Sequence, residues 1–256
     1  MIGPESMQTP SLTRIIDDFL AMWCNARSHA QPSIHQIGAI RHVHFAKPPA
    51  TGKQTRFDEF FLSHFERPDE VVALVQRTIG TTPHWLTVFS SNPIVLKNTY
   101  ASFGYTSRAD EYLMQLPSLT PTEASEQPAG PVQRIHSTQE AEWLNTQAGT
   151  TVAEPTRVND PTIGYYYIKL DEQLAAYGLV SMVANGLAGL DRIHTAPAYR
   201  RRGLASALLT AMHYDAAQQG SATSILISTP EGRPLYQRFG YQDVSYVTVL
   251  ESPDFT

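Results

Sequence analysis

The stretch Asp191-Arg192-Ile193-His194-Thr195-Ala196-Pro197-Ala198-Tyr199-Arg200-Arg201-Arg202-Gly203-Leu204-Ala205 decides how this chain is read. An apolar, β-branched run stops at Pro197, three arginines and a glycine follow, and Leu204 to Gln219 has the pattern of a helix. Strand, basic glycine-containing loop and helix N-terminus together make a place for phosphates. The first N–H groups of a helix have no intrahelical partner, and the helix dipole favours an anion beside them. Gly203 lets the backbone approach a phosphate without a Cβ in the way. Arg200, Arg201 and Arg202 add charge-assisted hydrogen bonds. The spacing Arg200-x-x-Gly203-x-Ala205 has neither the three glycines of a dinucleotide fingerprint nor the Gly-Lys-Ser/Thr of a P-loop.

A second signal lies downstream. Ser224 to Ser228 reads as a short strand, Thr229-Pro230-Glu231-Gly232 breaks it, and Arg233 to Phe239 reads as a short helix carrying Tyr236. Gly240 stops that helix, and Val244 to Leu250 alternates as a strand. Upstream, Val132 to His136 is a strand. Thr138 to Gln147 is a helix with Ser137 or Thr138 as cap and Glu140 in its first turn. Ala148 to Thr162 is a loop that would line an acceptor site. Three antiparallel strands follow, Tyr165 to Leu170, Leu174 to Val183 and Leu187 to Thr195, with Asn185-Gly186 as a hairpin turn.

The loop Arg200-x-x-Gly203-x-Ala205, preceded by Thr195-x-Pro197-x-Tyr199, resembles the pyrophosphate loop of the GNAT acetyltransferase superfamily. Leu235-Tyr236-x-x-Phe239-Gly240-Tyr241 is similar to that family's second signature. The resemblance covers roughly residues 132 to 256 and implies an α/β (α+β) fold, a mixed, mostly antiparallel sheet flanked by helices. It implies a bulge in the strand Leu187–Thr195 and a V-shaped splay from Ser224–Ser228, with acetyl-CoA in the slot. The coenzyme contacts it implies are Ile193, His194, Thr195, Arg200, Arg201, Arg202, Gly203, Leu204, Ala205, Ser206, Thr229, Gly232 and Tyr236.

The chemistry would then need an N–H near Ile193 or Thr195 to polarise the thioester carbonyl. It also needs a base for the amine and an acid for the leaving thiolate. Tyr236 is the candidate acid, since a phenol stays protonated at neutral pH; packing between helix and sheet is the competing role. Asp191 is the candidate base, on the same strand face as Ile193 and Thr195. Aspartate departs from the glutamate often found there in the family, and an ion pair with Arg192 or a neighbouring strand, or a water chain doing the work, are equally open. His194 should point away from Asp191 and serve structure.

At 256 residues the chain is long enough for two modest domains. A formal net charge of −5 argues against a nucleic-acid partner and suits a cationic amine. The single cysteine, Cys24, excludes an intrachain disulfide and a cysteine-rich zinc site. No apolar run reaches a membrane span and no signal peptide is visible, so a cytoplasmic monomer or homodimer is expected.

Residues 117–131, rich in proline, serine and threonine, read as a linker. They separate an N-terminal unit, 8–116, from a C-terminal one, 132–256. The two share a motif at a constant offset: Tyr100-Ala-Ser-Phe103-Gly104-Tyr105 matches Tyr236-Gln-Arg-Phe239-Gly240-Tyr241. Trp85 to Phe89 and Ala109 to Leu116 flank the first copy as strands, after an amphipathic helix at Asp69 to Thr78. No phosphate loop occurs in the first half. Ala50-Thr51-Gly52-Lys53-Gln54 lacks the first glycine and the Ser/Thr of a P-loop. The first half is therefore expected to be a degenerate GNAT-like domain that serves structure or walls the acceptor pocket. His42 and His44 alternate on one strand face, and with no third ligand in view they read as polar face; no metal is expected. These features favour an acetyl-CoA-dependent N-acetyltransferase acting on a primary amine of a small molecule or peptide. A non-catalytic acetyl-CoA-binding sensor is the alternative.

Overall fold

Local signals start and stop the elements much where the sequence asks. In the computed structural model, which describes residues 11–49, 56–63, 67–119, 132–183 and 185–255, the first half runs α1 (Leu12–Asn25), β1 (Pro32–Ile37), β2 (Ile40–Phe45), β3 (Asp58–Ser63), α2 (Pro68–Ile79), β4 (His84–Ser90), α3 (Pro93–Ala101) and β5 (Thr106–Leu116). The second runs β6 (Val132–Arg134), α4 (Thr138–Ala148), β7 (Ile163–Leu170), β8 (Gln173–Val183), β9 (Leu187–Thr195), α5 (Leu204–Gln218), β10 (Thr223–Ser228), α6 (Arg233–Arg238) and β11 (Gln242–Glu251). A capping box opens α4: the Ser137 hydroxyl accepts the Glu140 N–H while the Glu140 carboxylate accepts the Ser137 N–H. Proline at the first turn starts α2 and α3, where its missing N–H costs nothing. The loop resembling a P-loop, 50–54, and most of the expected linker lie outside the described residues. Of that linker, Leu119 is buried, and its N–H donates to the Ala222 carbonyl at 2.6 Å.

The eleven strands among the described residues form one sheet in the order β1-β2-β3-β4-β11-β5-β10-β9-β8-β7-β6. The last strand of each half has crossed over. β11 pairs antiparallel with β4 and β5, and β5 pairs antiparallel with β11 and β10. The shared motif folds the same way twice. Tyr105 N–H donates to the Tyr100 carbonyl and Gly104 N–H to Ala101; Tyr241 and Gly240 repeat this with Tyr236 and Gln237. This is the Schellman ending, with each glycine at positive φ, +85° and +89°. In both copies the two tyrosine rings meet edge-to-face at 5.8 Å.

One sheet face between β5 and β8 is covered by α5, through Leu208, Leu209 and Met212 over Val180, Ala188 and Leu226. The opposite face carries α1, whose Phe19, Met22 and Trp23 pack on Phe61, Leu187 and Ile225. α1 thus belongs to the first half in sequence but lies across β8 and β9 of the second. Its end is tied there by Arg157, whose guanidinium donates to the Asn25 carbonyl at 2.7 Å. Among the described residues no helix is long and apolar enough to cross a membrane.

The exchange of β5 and β11 makes a stability prediction. Residues 132–256 expressed alone lose β5, leaving β10 and β11 as long unpaired edges. They should aggregate and show no cooperative thermal transition by circular dichroism. A monomeric fragment with a sharp transition would mean that the exchanged strand is dispensable.

Candidate active site

β9 and β10 run parallel for only three residue pairs, Leu187–Gly189 against Thr223–Ile225. Beyond Ile225, β10 stays with β5, and beyond Gly189, β9 stays with β8. The sheet therefore opens into a V. A bulge accompanies the opening: Leu179 pairs with Asp191 but Tyr177 with His194, and Arg192 takes a φ of +55°.

The bulge overturns the expected alternation. Asp191, Ile193 and Thr195 do not share a face. Asp191 faces α1, whereas Ile193 turns toward Met212 of α5, where a Cβ on Gly178 would meet both side chains. His194 was expected to oppose Asp191 and instead lies on its side of the sheet. Its ring stacks on Tyr177 at 5.1 Å, and Tyr177 lies two residues from Leu179, the partner of Asp191. Burial and the charge of Arg200 lower the His194 pKa, so its ring is neutral at pH 7.

The open V, the start of α5 and α6 enclose a slot of about 940 Å³. Ile193, His194 and Thr195 line it from β9; Arg200, Arg201, Gly203, Leu204, Ala205 and Ser206 from the loop and first turn; Thr229, Gly232 and Tyr236 from the α6 side. Of the residues the sequence assigned to the coenzyme, only Arg202 is absent. Its guanidinium folds back toward the Ala198 carbonyl and over the Tyr199 ring. Arg200 braces the turn by donating to the Thr195 carbonyl at 3.2 Å. Gly203 sits at φ +78°, and a Cβ placed on it meets nothing within 4 Å. Among the described residues, the N–H groups of residues 203–206 have no acceptor. Orphan donors, a glycine backbone and Arg201 fit the pyrophosphate of a coenzyme.

The Tyr236 side chain is buried and lines the slot, and its hydroxyl has no hydrogen-bond partner among the described residues. Burial and the Asp191 charge push its pKa up, which keeps the phenol protonated. Asp191 is ion-paired across the halves: Arg27, just past α1, donates to it at 2.6 Å. Burial raises the Asp191 pKa, but Arg27, Arg192 and the Arg192 N–H at 2.8 Å outweigh it and hold the carboxyl below its ordinary range. A carboxylate so held is a weak proton acceptor.

Two chambers lie toward the first half: an outer one that shares Ile193 and His194 with the slot, and an inner one that shares Arg27, Arg56 and Trp85 with the outer. The inner one, about 200 Å³, is closed by α1 on one side and by β3, β4 and β5 beneath, with Leu190 and Ile227 at the two arms of the V. The outer one, about 420 Å³, holds Arg27, Arg56 and Arg192 and is bordered by Thr150, Thr151 and Val152 of the loop 148–162. Arg56 is paired with Glu59, which also accepts the Thr87 hydroxyl at 2.6 Å. The inner chamber contains a residue that the sequence reading missed. Glu111 of β5 has no hydrogen-bond or ion-pair partner among the described residues, and burial, with Glu59 and Asp191 nearby, raises it to about 6. Its only sequence signal was a charge at an inward position of a strand assigned to the other half.

Three residues singled out elsewhere, His42, His44 and Cys24, lie away from this slot. His42 and His44 do share a face, and both ring nitrogens meet Asp58 Oδ1, at 2.7 and 2.9 Å, a third group the sequence did not supply. Burial pushes the Cys24 thiol up to about 12, which makes it a poor nucleophile.

Residues 124–241 match the Acetyltransferase (GNAT) family. Among solved structures, a GCN5-related N-acetyltransferase from Kribbella flavida is similar with a TM-score of 0.62 and 19% identity, over 94% of this chain and 95% of that one. A functionally unknown conserved protein from Staphylococcus epidermidis gives 0.59 and 11%, over 88% and 95%. A GCN5-related N-acetyltransferase from Sphaerobacter thermophilus gives 0.51 and 14%, over 94% and 93%. At these identities the likeness is one of fold. No curated protein matches the chain.

The Arg27–Asp191 pair yields a pH-dependent prediction. Arg27→Met strips the partly buried Asp191 of its ion-pair partner and should cost up to about 3–5 kcal/mol at pH 7. A carboxyl whose folded pKa is depressed stabilises above its unfolded pKa, and that stability is lost as pH falls through the folded value. The variant removes this contribution, so denaturant midpoints of wild type and variant should converge as the medium is acidified. A gap that stays constant with pH would mean the pair carries no linkage.

Proposed function

We propose, from the match of residues 124–241 to the Acetyltransferase (GNAT) family, that the chain transfers an acetyl group from acetyl-CoA to a primary amine of a small molecule or peptide, by direct attack in a ternary complex. One observation carries this reading. The loop and first turn with the unpaired helix-start amides, the opened β9–β10 gap and Tyr236 line a single cavity. GNAT enzymes take their acetyl group from acetyl-CoA. The N–H groups of residues 203–206 and Arg201 hold its pyrophosphate, and the pantetheine arm lies between β9 and β10.

With the thioester at the V, backbone N–H groups of β9 near Ile193 and Thr195 stabilise the charge that develops on the carbonyl oxygen. Beyond Gly189 β9 has no pairing with β10 among the described residues, which leaves that edge of the strand for this role. Tyr236 donates its proton to the departing sulfur. Asp191 is held ionised by Arg27, which suits it to positioning and field rather than to taking a proton. The first half is read as a GNAT-like unit without a phosphate loop, contributing α1, β3, β4 and β5 to the acceptor side. A sensor that only binds the coenzyme would use the amides and leave Tyr236 idle, which separates the two readings.

Two substitutions test this. Gly203→Val forces a β-branched residue to φ +78° at the α5 start and should abolish acetyl-CoA binding in calorimetry while the fold persists. Unchanged affinity in the folded variant would overturn the assignment of the slot. Tyr236→Phe keeps the ring and removes the proton donor. Turnover should fall by about 10²–10⁴-fold with little change in the Michaelis constant for acetyl-CoA. Wild-type turnover would make Tyr236 a packing residue.

A further inference from the structure

The charges around the two chambers do not cancel locally. Arg27 is matched by Asp191 and Arg56 by Glu59. Glu111 is left over in the inner chamber. In the outer one Arg192 is left over: its guanidinium donates to the carbonyls of Thr151 and Val152, and no carboxylate among the described residues lies within ion-pairing distance of it. A negative charge without a partner therefore sits inside and a positive one without a partner sits outside, with Arg27 and Arg56 lining both chambers.

We infer that the acceptor is a compact amino-acid-like zwitterion, with its ammonium against Glu111 in the inner chamber, its carboxylate among Arg27, Arg56 and Arg192, and Glu111 as the catalytic base. This rests on the acetyltransferase reading of the slot. A simple aliphatic amine satisfies only half of the charge pattern and leaves the arginines uncompensated. An aromatic cage for a lone ammonium is excluded by occupancy. The Trp23 face is covered by Arg27 at 4.2 Å, and Trp85 carries Arg56 at 3.4 Å and Arg108 at 4.5 Å. The inner volume, about 200 Å³, is below the range of about 300–1,000 Å³ typical of sites for drug-sized ligands. Phe19, Met22 and Phe61 on its walls favour a small apolar side chain.

Glu111 removes one proton from the bound ammonium and passes it to solvent. The freed nitrogen lone pair forms the C–N bond with the acetyl carbonyl carbon as the carbonyl π pair moves to oxygen. When that pair returns, the C–S bond breaks and Tyr236 protonates the sulfur. The second proton lost by the nitrogen restores the Tyr236 phenol. The balance is ammonium plus thioester to amide, thiol and one proton.

Burial is the largest influence on Glu111 and raises its pKa; Glu59 on β3 and Asp191 on β9 raise it further, and Arg27 past α1 lowers it. The result, about 6, leaves it ionised at neutral pH and basic enough to accept a proton.

The test uses the full chain, acetyl-CoA and thiol release. Alanine, valine, leucine and methionine are each compared with the amine that lacks the carboxylate, with coenzyme A affinity measured by calorimetry in parallel. Because charged hydrogen bonds are at stake, the better amino acids should exceed their decarboxylated counterparts in kcat/KM by roughly 10–150-fold. Glu111→Gln should lower kcat by about 10²–10⁴-fold and erase a limb near pH 6 in kcat, while coenzyme A affinity stays unchanged. The zwitterion assignment is overturned by equal or better turnover of the decarboxylated amines, or by no turnover of any amino acid in a chain that binds coenzyme A. Wild-type kcat and an intact limb in Glu111→Gln overturn the role of Glu111. Failure of the wild-type chain to bind coenzyme A overturns the acetyltransferase reading itself.

Discussion

The parting of β9 from β10 after three residue pairs is the constraint on which the rest depends. It exists because each strand has a better partner elsewhere. β10 continues against β5, a strand from the other half, while β9 continues against β8 through a bulge at Arg192. Gly189, the last paired residue of β9, lies directly beneath Met22: a Cβ there would come within 1.7 Å of the Met22 side chain. The helix that roofs the inner chamber is thus seated at the vertex of the V. Opening the sheet creates the slot on the α5 side, and seating α1 closes the chamber on the other.

The two halves are coupled at three levels. Backbone pairing couples them through the exchanged strands β5 and β11. Packing couples them through α1, which covers the sheet of the second half. Electrostatics couples them through Arg27–Asp191, a pair that spans the halves and lies partly buried. The third has a chemical consequence. A salt bridge that fixes Asp191 as an anion removes it from proton transfer, and its negative charge then raises the pKa of both Glu111 and Tyr236. Neutralising one carboxylate with an arginine is how the site keeps another poised, since like charges in one cavity cannot all titrate at their ordinary values.

What was legible in the sequence was local. The capping box at Ser137, the glycine ending at Gly240 and the basic loop before α5 each depend on residues within one or two turns, and so their positions follow from spacing. The slot-lining residues were also legible, because they cluster on two short segments. What failed was either non-local or one residue out of step. A single bulge residue reversed the faces of Ile193, His194 and Thr195 relative to Asp191, since the side-chain period of a strand leaves no tolerance for an insertion. The partner of Asp191 proved to be Arg27, far away in the chain, and no spacing rule points to it. Glu111 was hidden for the same reason: its strand was assigned to one half, while its position in the sheet is between two strands of the other.

The asymmetry between the two copies of the tyrosine motif has a physical origin in the sheet. β3 and β4 occupy, around the crossing of β5 and β11, the place that β9 and β10 occupy on the other side. Both pairs are parallel and both lead into a helix that ends in the same Schellman turn. The first pair, however, is closed along the whole of β3, Asp58–Ser63 against His84–Phe89, in unbroken register. Without a bulge there is no splay, and without a splay the two strands leave no slot between them. Tyr100 is accordingly sealed in the core against Tyr105, whereas the same tyrosine at 236 lines a cavity. The motif itself specifies a way to end a helix and pack two rings. Whether it becomes chemistry depends on the register of a strand pair that the motif does not contain.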